Sequence, residues 1–153
     1  MRRDRPRILA VSSGGGHWVE LLRVRPAFEG AEVAYVTVSR EYRRDIGTNR
    51  FYAVNDATRW SKVAALWQAL RVLLILLRER PDVVFTTGAA QGYFALRLGK
   101  WLGARTVWLD SIANVEELSM SGQMAGRCAD LWLTQWSHLS KPDGRPACAG
   151  AVL

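Results

Sequence analysis

Short apolar runs recur along the chain at Ile8–Ser12, Glu32–Val38, Phe51–Val54, Asp82–Thr86, Thr106–Asp110 and Asp130–Thr134, bounded by polar, proline or glycine residues. The first is apolar without alternation, the spelling of a strand buried on both faces. Between the runs lie stretches with helical spacing. Trp18–Phe28 reads as a helix ended around Pro26 and Gly30, and another helix opens near Gln91. Strands alternating with helices predict an α/β domain, a parallel sheet with helices on both faces, over residues 1–153. No internal repeat, low-complexity segment or linker divides it.

The stretch from Ser61 to Arg80 departs from ordinary amphipathic spacing. Val63 through Leu77 is apolar apart from Gln68 and Arg71, which with Arg78 make only a narrow polar stripe. At about 15 residues with two polar interruptions, the run is too short to span a bilayer. The excess packs on a partner protein unless one of two other readings holds: a helix buried all round in its own domain, and one lying in a membrane interface. In the second, Trp60, Trp67, Leu70 and Leu74 face the membrane, while Arg59, Lys62, Arg71, Arg78 and Arg80 meet anionic headgroups.

Candidate chemistry gathers where the first run ends. Ser12-Ser13-Gly14-Gly15-Gly16-His17 is a glycine-rich turn leading into a helix. Three glycines let backbone N–H groups approach an anion, and the helix start adds unpaired amides and partial positive charge. His17 stands at the lip as a titratable group. The loop is neither a Walker loop nor a dinucleotide fingerprint, because no Gly-Lys-Ser/Thr follows and Val19 stands where a third spaced glycine belongs. A turn needing glycine only for its backbone angles has the same spelling.

Ligands of doubly wound sheets bind outside the carboxyl ends of the strands. That rule adds Arg40 after the second strand, Thr87 and Gly88 after the fourth, and Asp110, Ser111 and Asn114 after the fifth. Asp110, Ser111 and Asn114 suit sugar hydroxyls. Each also has a plainer role: Thr87, Ser111 and Asn114 as helix caps, Asp110 as an ion-pair partner, Glu20 as a first-turn carboxylate.

Composition changes this picture in one respect. Hydrophobic residues make up 49% and charged residues 23%, ordinary for a globular domain, but the net charge is +7. Arg2, Arg3, Arg5, Arg7, Arg40, Arg43, Arg44 and Arg50 supply much of the excess. A basic surface suits nucleic acid, an anionic membrane or a phosphorylated substrate. Nucleic acid is set aside, because no helix-turn-helix, zinc-finger or RNP pattern is present. Two cysteines and two histidines argue against a disulfide framework and a metal site. No cofactor is called for. The charged start, without an apolar leader, points to the reducing cytosol.

Taken together, Ser12–His17 with Glu20-Leu21-Leu22 resemble the start of a glycosyltransferase-subunit family. Its members are the membrane-recruiting subunits of two-component enzymes that extend lipid-linked sugars, in asparagine-linked glycosylation and, as PssD-type proteins, in bacterial exopolysaccharide and capsule assembly. The resemblance continues through Thr87–Ala90, Gly99–Ala104, Asp110–Ala113, Leu118–Gly122, Ala129–Leu131 and Gln135-Trp136. Asp110 stands where the family more often carries glutamate, and Pro146–Leu153 matches poorly.

The resemblance implies a Rossmann-like fold that is half of a GT-B glycosyltransferase, similar to the N-terminal half of MurG-like enzymes. It implies one subunit of an inverting transferase, inactive alone, that binds a polyprenyl-diphosphate-linked sugar on the cytoplasmic face of a membrane. A small donor-binding subunit would complete the heterodimer, docking near Trp136 and Ala149–Leu153. Ser13, Gly14, Gly15, Gly16, Arg40, Thr87, Gly88, Ser111 and Asn114 would bind the acceptor diphosphate and sugar. His17 is the foremost base, with Asp110 and Glu20 behind it, and His17 as a diphosphate ligand is the alternative. A membrane scaffold without catalysis and a stand-alone nucleotide-sugar-binding enzyme are the competing functions.

Overall fold

The computed structural model describes residues 3–58 and 60–152; Arg2, Arg59 and Leu153, named above, lie outside the described residues. Seven parallel strands form one sheet: β1 (Arg7–Val11), β2 (Glu32–Thr37), β3 (Arg50–Ala53), β4 (Val83–Thr86), β5 (Arg105–Leu109), β6 (Leu131–Thr134) and β7 (Ala147–Cys148). Their order is β3-β2-β1-β4-β5-β6-β7, so the winding reverses between β1 and β4. Six strands lie within a residue or so of the predicted runs. The seventh was not foreseen, because two residues of small side chain beside Pro146 carry no apolar signal.

The helices are α1 (Gly16–Val24), α2 (Lys62–Glu79), α3 (Ala89–Trp101) and α4 (Met120–Ala125). The first stops earlier than the spacing suggests. Pro26 offers no N–H to extend it, and a 3-10 turn over Arg25–Phe28 follows. The six-residue α4 has no legible periodicity, and starts where the Ser119 hydroxyl accepts from Gly122 N at 2.9 Å.

The strands carry apolar residues on both sides, and two cores result. On one face Leu9, Val11, Val84 and Trp108 pack with Val72 and Leu76 of α2, Ala95 and Leu96 of α3, and Ala125 of α4. On the other, Ala10, Phe85 and Leu109 pack with Trp18 and Leu21 of α1 and with Phe28. Toward β6 the stretch Ala149–Val152 also lies on this second face, lining with Phe28, Phe85, Val107, Leu109 and Leu133 an apolar groove of about 580 Å³.

Candidate functional site

The winding reverses between β1 and β4, the place where doubly wound sheets form a ligand crevice at the carboxyl ends of the strands, and the loops after these two strands meet there. His17 Nδ1 lies 2.7 Å from the Thr87 carbonyl, and the Thr87 hydroxyl donates to the His17 carbonyl at 2.8 Å. A carbonyl only accepts, so Nδ1 carries the proton in this bond, and Nε2 has no hydrogen-bond partner among the described residues. The ring is 31% exposed, and Thr87 is buried. Gly88 makes this clasp possible: its φ is +127°, and a Cβ there would lie 3.0 Å from His17 Cε1.

The glycine loop is braced by a residue the sequence reading passed over. Tyr42 belongs to the 3-10 turn Arg40–Asp45, stacks on Trp18 with ring centroids 5.0 Å apart, and accepts from Gly15 N at 2.9 Å. Trp18 is fixed in turn by its indole N–H on Asp45 at 2.9 Å. Gly15, at φ +62°, turns the chain into α1. The Gly15 amide is therefore engaged, and the free donors are the amides of Gly16, His17 and Trp18 at the helix start, which bond to no described group. The spacing of Trp18 and Tyr42 gave no sign of their stacking. Ser13 lies half-buried below the loop, its carbonyl accepting from the Thr37 hydroxyl. Arg40 is exposed at the start of the 3-10 turn and makes no ion pair among the described residues.

Behind His17 stands Glu20, buried at 3% exposure. Its Oε1 accepts from Ile112 N at 2.7 Å, Gln135 Nε2 at 3.0 Å and the Ser111 hydroxyl at 3.3 Å. Its Oε2 lies 4.0 Å from His17 Nδ1.

The loop after β5 departs from expectation. Asp110 is 1% exposed and accepts from Trp108 Nε1 at 3.0 Å, the Ser119 hydroxyl at 2.6 Å, Ser119 N at 2.9 Å and Asn114 Nδ2 at 3.2 Å. With four donors in place, Asp110 anchors the 110–119 loop. Ser111 is buried and donates to Glu20, while half-buried Asn114 gives one amide N–H to Asp110 and keeps its Oδ1 and second N–H. Asp110→Ala would strand the Trp108, Ser119 and Asn114 donors. It is expected to lower unfolding free energy by about 3 kcal/mol, measured by denaturant titration.

A second surface lies along α2. Two of its polar side chains are buried: Gln68 donates to the Asn55 carbonyl at 2.8 Å, and Glu79 accepts from Arg50 Nε at 2.9 Å. Arg71, expected on the membrane side, is half-buried and donates to the Ala53 carbonyl at 2.8 Å. The Asn55 and Ala53 carbonyls, on the segment running from β3 into α2, are thus satisfied by Gln68 and Arg71. The apolar side is consequently outward. Trp60 is 87% exposed, Val63 80% and Leu66 73%, and Trp67, Leu70, Leu74 and Leu77 continue the stripe. Arg78 is exposed near its end, and Trp101 and Leu102 of α3 are exposed as well. Among the described residues no helix is long and apolar enough to cross a membrane.

The sequence profile described as "Oligosaccharide biosynthesis protein Alg14 like" matches residues 8–152. The chain belongs to the Alg14-like family. Two relatives are named UDP-N-acetylglucosamine transferase subunit ALG14. That of Eremothecium gossypii is 27% identical across 99% of this chain and 82% of its own length. That of Candida albicans is 23% identical across 91% and 74%. Among solved structures, MurG of Acinetobacter baumannii superposes with a TM-score of 0.72 at 13% identity, over 89% of this chain and 43% of MurG. The UDP-N-acetylglucosamine 2-epimerase of Rickettsia bellii gives 0.67 at 12% identity, over 88% and 40%. The Alg14-like chain thus has the Rossmann-like fold of one part of these larger proteins and spans about two fifths of their length.

Proposed function

We propose that this Alg14-like chain is the acceptor-binding subunit of a two-component inverting glycosyltransferase. It docks on the cytoplasmic face of a membrane, and a small partner subunit binds the UDP-sugar. The sugar passes to a polyprenyl-diphosphate-linked acceptor. One observation carries this reading: the Thr87 carbonyl holds the proton on His17 Nδ1, which leaves Nε2 without a hydrogen-bond partner among the described residues, at a helix start whose Gly16, His17 and Trp18 amides are open. The transferase names of the two ALG14 relatives support the reaction class. The match to about two fifths of MurG supports a half-enzyme.

In the proposed reaction, the amides of Gly16, His17 and Trp18 hold the acceptor diphosphate, aided by the helix dipole, with Arg40 close by in sequence to the bracing turn. His17 Nε2 takes the proton of the acceptor hydroxyl as its oxygen bonds to the anomeric carbon of the donor sugar. The bond from that carbon to the UDP oxygen breaks with inversion, and UDP leaves on the partner. The resulting imidazolium keeps its Nδ1–H on Thr87 and has the Glu20 carboxylate nearby. The apolar stripe of α2, with Arg78 at its flank, rests on the lipid that carries the acceptor.

Binding to the isolated chain tests the division of labour. Vesicles carrying a polyprenyl-diphosphate-linked sugar are expected to bind the chain more tightly than matched vesicles without it, and UDP-GlcNAc is expected to give no saturable binding. Tight UDP-GlcNAc binding would overturn the assignment of the donor to a partner.

A further inference from the structure

Gln135, immediately after β6, is 4% exposed and has every polar group engaged. Its Nε2 donates to Glu20 Oε1 and to the Asp110 carbonyl, each at 3.0 Å, and its Oε1 accepts from Val152 N at 2.8 Å. Reversing the amide would set its oxygen against two oxygens and its NH2 against an N–H, so one orientation is imposed. Val152 is held on its other side as well, its carbonyl accepting from Arg23 of α1 at 3.4 Å. The stretch Ala149–Val152 is thereby joined through a single amide to the carboxylate behind His17.

That carboxylate is unequally used. Glu20 Oε1 has three donors, whereas the buried Oε2 has no hydrogen-bond partner among the described residues and lies 4.0 Å from the protonated nitrogen of His17. An unpaired buried carboxylate oxygen is costly unless a charge develops beside it. The geometry points to Gln135 as a positioning residue for His17: through Glu20, it makes the placement of the imidazole depend on the seating of the C-terminal stretch at Val152. This rests on the reading of His17 as the base. It gives Gln135 a task that its distance from the crevice would conceal.

Two substitutions separate this from a structural role. Gln135→Met keeps the length and removes every polar bond of the side chain; Val152→Pro leaves Gln135 in place and removes the N–H it accepts, at the cost of fixing φ and replacing the valine side chain. In the reconstituted two-subunit transfer assay, each is expected to lower kcat about tenfold and to leave the acceptor KM within about twofold. In a His17→Ala background neither is expected to reduce transfer further, because the effect passes through that ring. The chain has two histidines, so ring-nitrogen NMR of the labelled protein reads His17 directly. The Nδ1–H form held by Thr87 is expected in all three proteins, with the His17 ring-nitrogen signals displaced in both variants. Unchanged ring signals, or losses that multiply in the His17→Ala background, would overturn the linkage. Wild-type transfer by His17→Ala alone would refute the base reading, and the ring spectra would still decide the linkage.

Discussion

His17→Ala is expected to lower sugar transfer about a thousandfold, the magnitude of a lost general base, with the loss in kcat. The ring is partly exposed and makes one hydrogen bond, to the Thr87 carbonyl. Its removal therefore costs about 1 kcal/mol of stability or less, and thermal unfolding of the variant should stay near wild type. The alternative, in which His17 only binds the acceptor diphosphate, gives a different signature. Acceptor KM would then rise with kcat little changed, since binding lost equally in ground and transition states appears in KM. Steady-state kinetics at saturating donor decide between them.

The largest effect away from the crevice is expected on α2. Leu70 and Leu74 are 44% and 58% exposed, so replacing both with glutamate disturbs no core contact of consequence and retains good helix formers. On the proposed membrane face the change is severe. The exposed part of each leucine gives up about 1 kcal/mol of burial, and each new negative charge adds about 1 kcal/mol of repulsion from an anionic surface. The total of about 4 kcal/mol predicts roughly a thousandfold weaker partitioning onto anionic vesicles, read by vesicle sedimentation, with an unaltered circular dichroism spectrum. Partitioning equal to the wild type would remove α2 from the membrane contact and leave its stripe to a protein partner.

The strands were legible because both faces of the sheet are covered near the centre, which writes continuous apolar runs such as Ile8–Val11. β7 was not, since Ala147 and Cys148 pair with β6 through backbone alone. For α2, composition disclosed an excess of apolar surface but not its direction. Gln68 and Arg71 look like a solvent stripe until the carbonyls of Ala53 and Asn55 are seen beneath them. The site divides in the same way. Glycines and a histidine at a strand end are local signals, and they marked the crevice. The Thr87 clasp, the Tyr42 brace and the link from Glu20 to Gln135 join residues 70, 27 and 115 positions apart. Such pairings leave no periodic trace in a single sequence. The setting of Asp110 is hidden for a related reason: its donors Trp108, Asn114 and Ser119 are close in sequence, but only the folded loop turns them onto one carboxylate.

The most direct test of the account is transfer from UDP-GlcNAc to a polyprenyl-diphosphate-linked sugar on anionic vesicles, using this chain alone, a donor-binding subunit alone, and both together. The account predicts product only with both subunits, and its loss when the added chain carries His17→Ala. Transfer by this chain alone would contradict it, placing the donor site within these 153 residues.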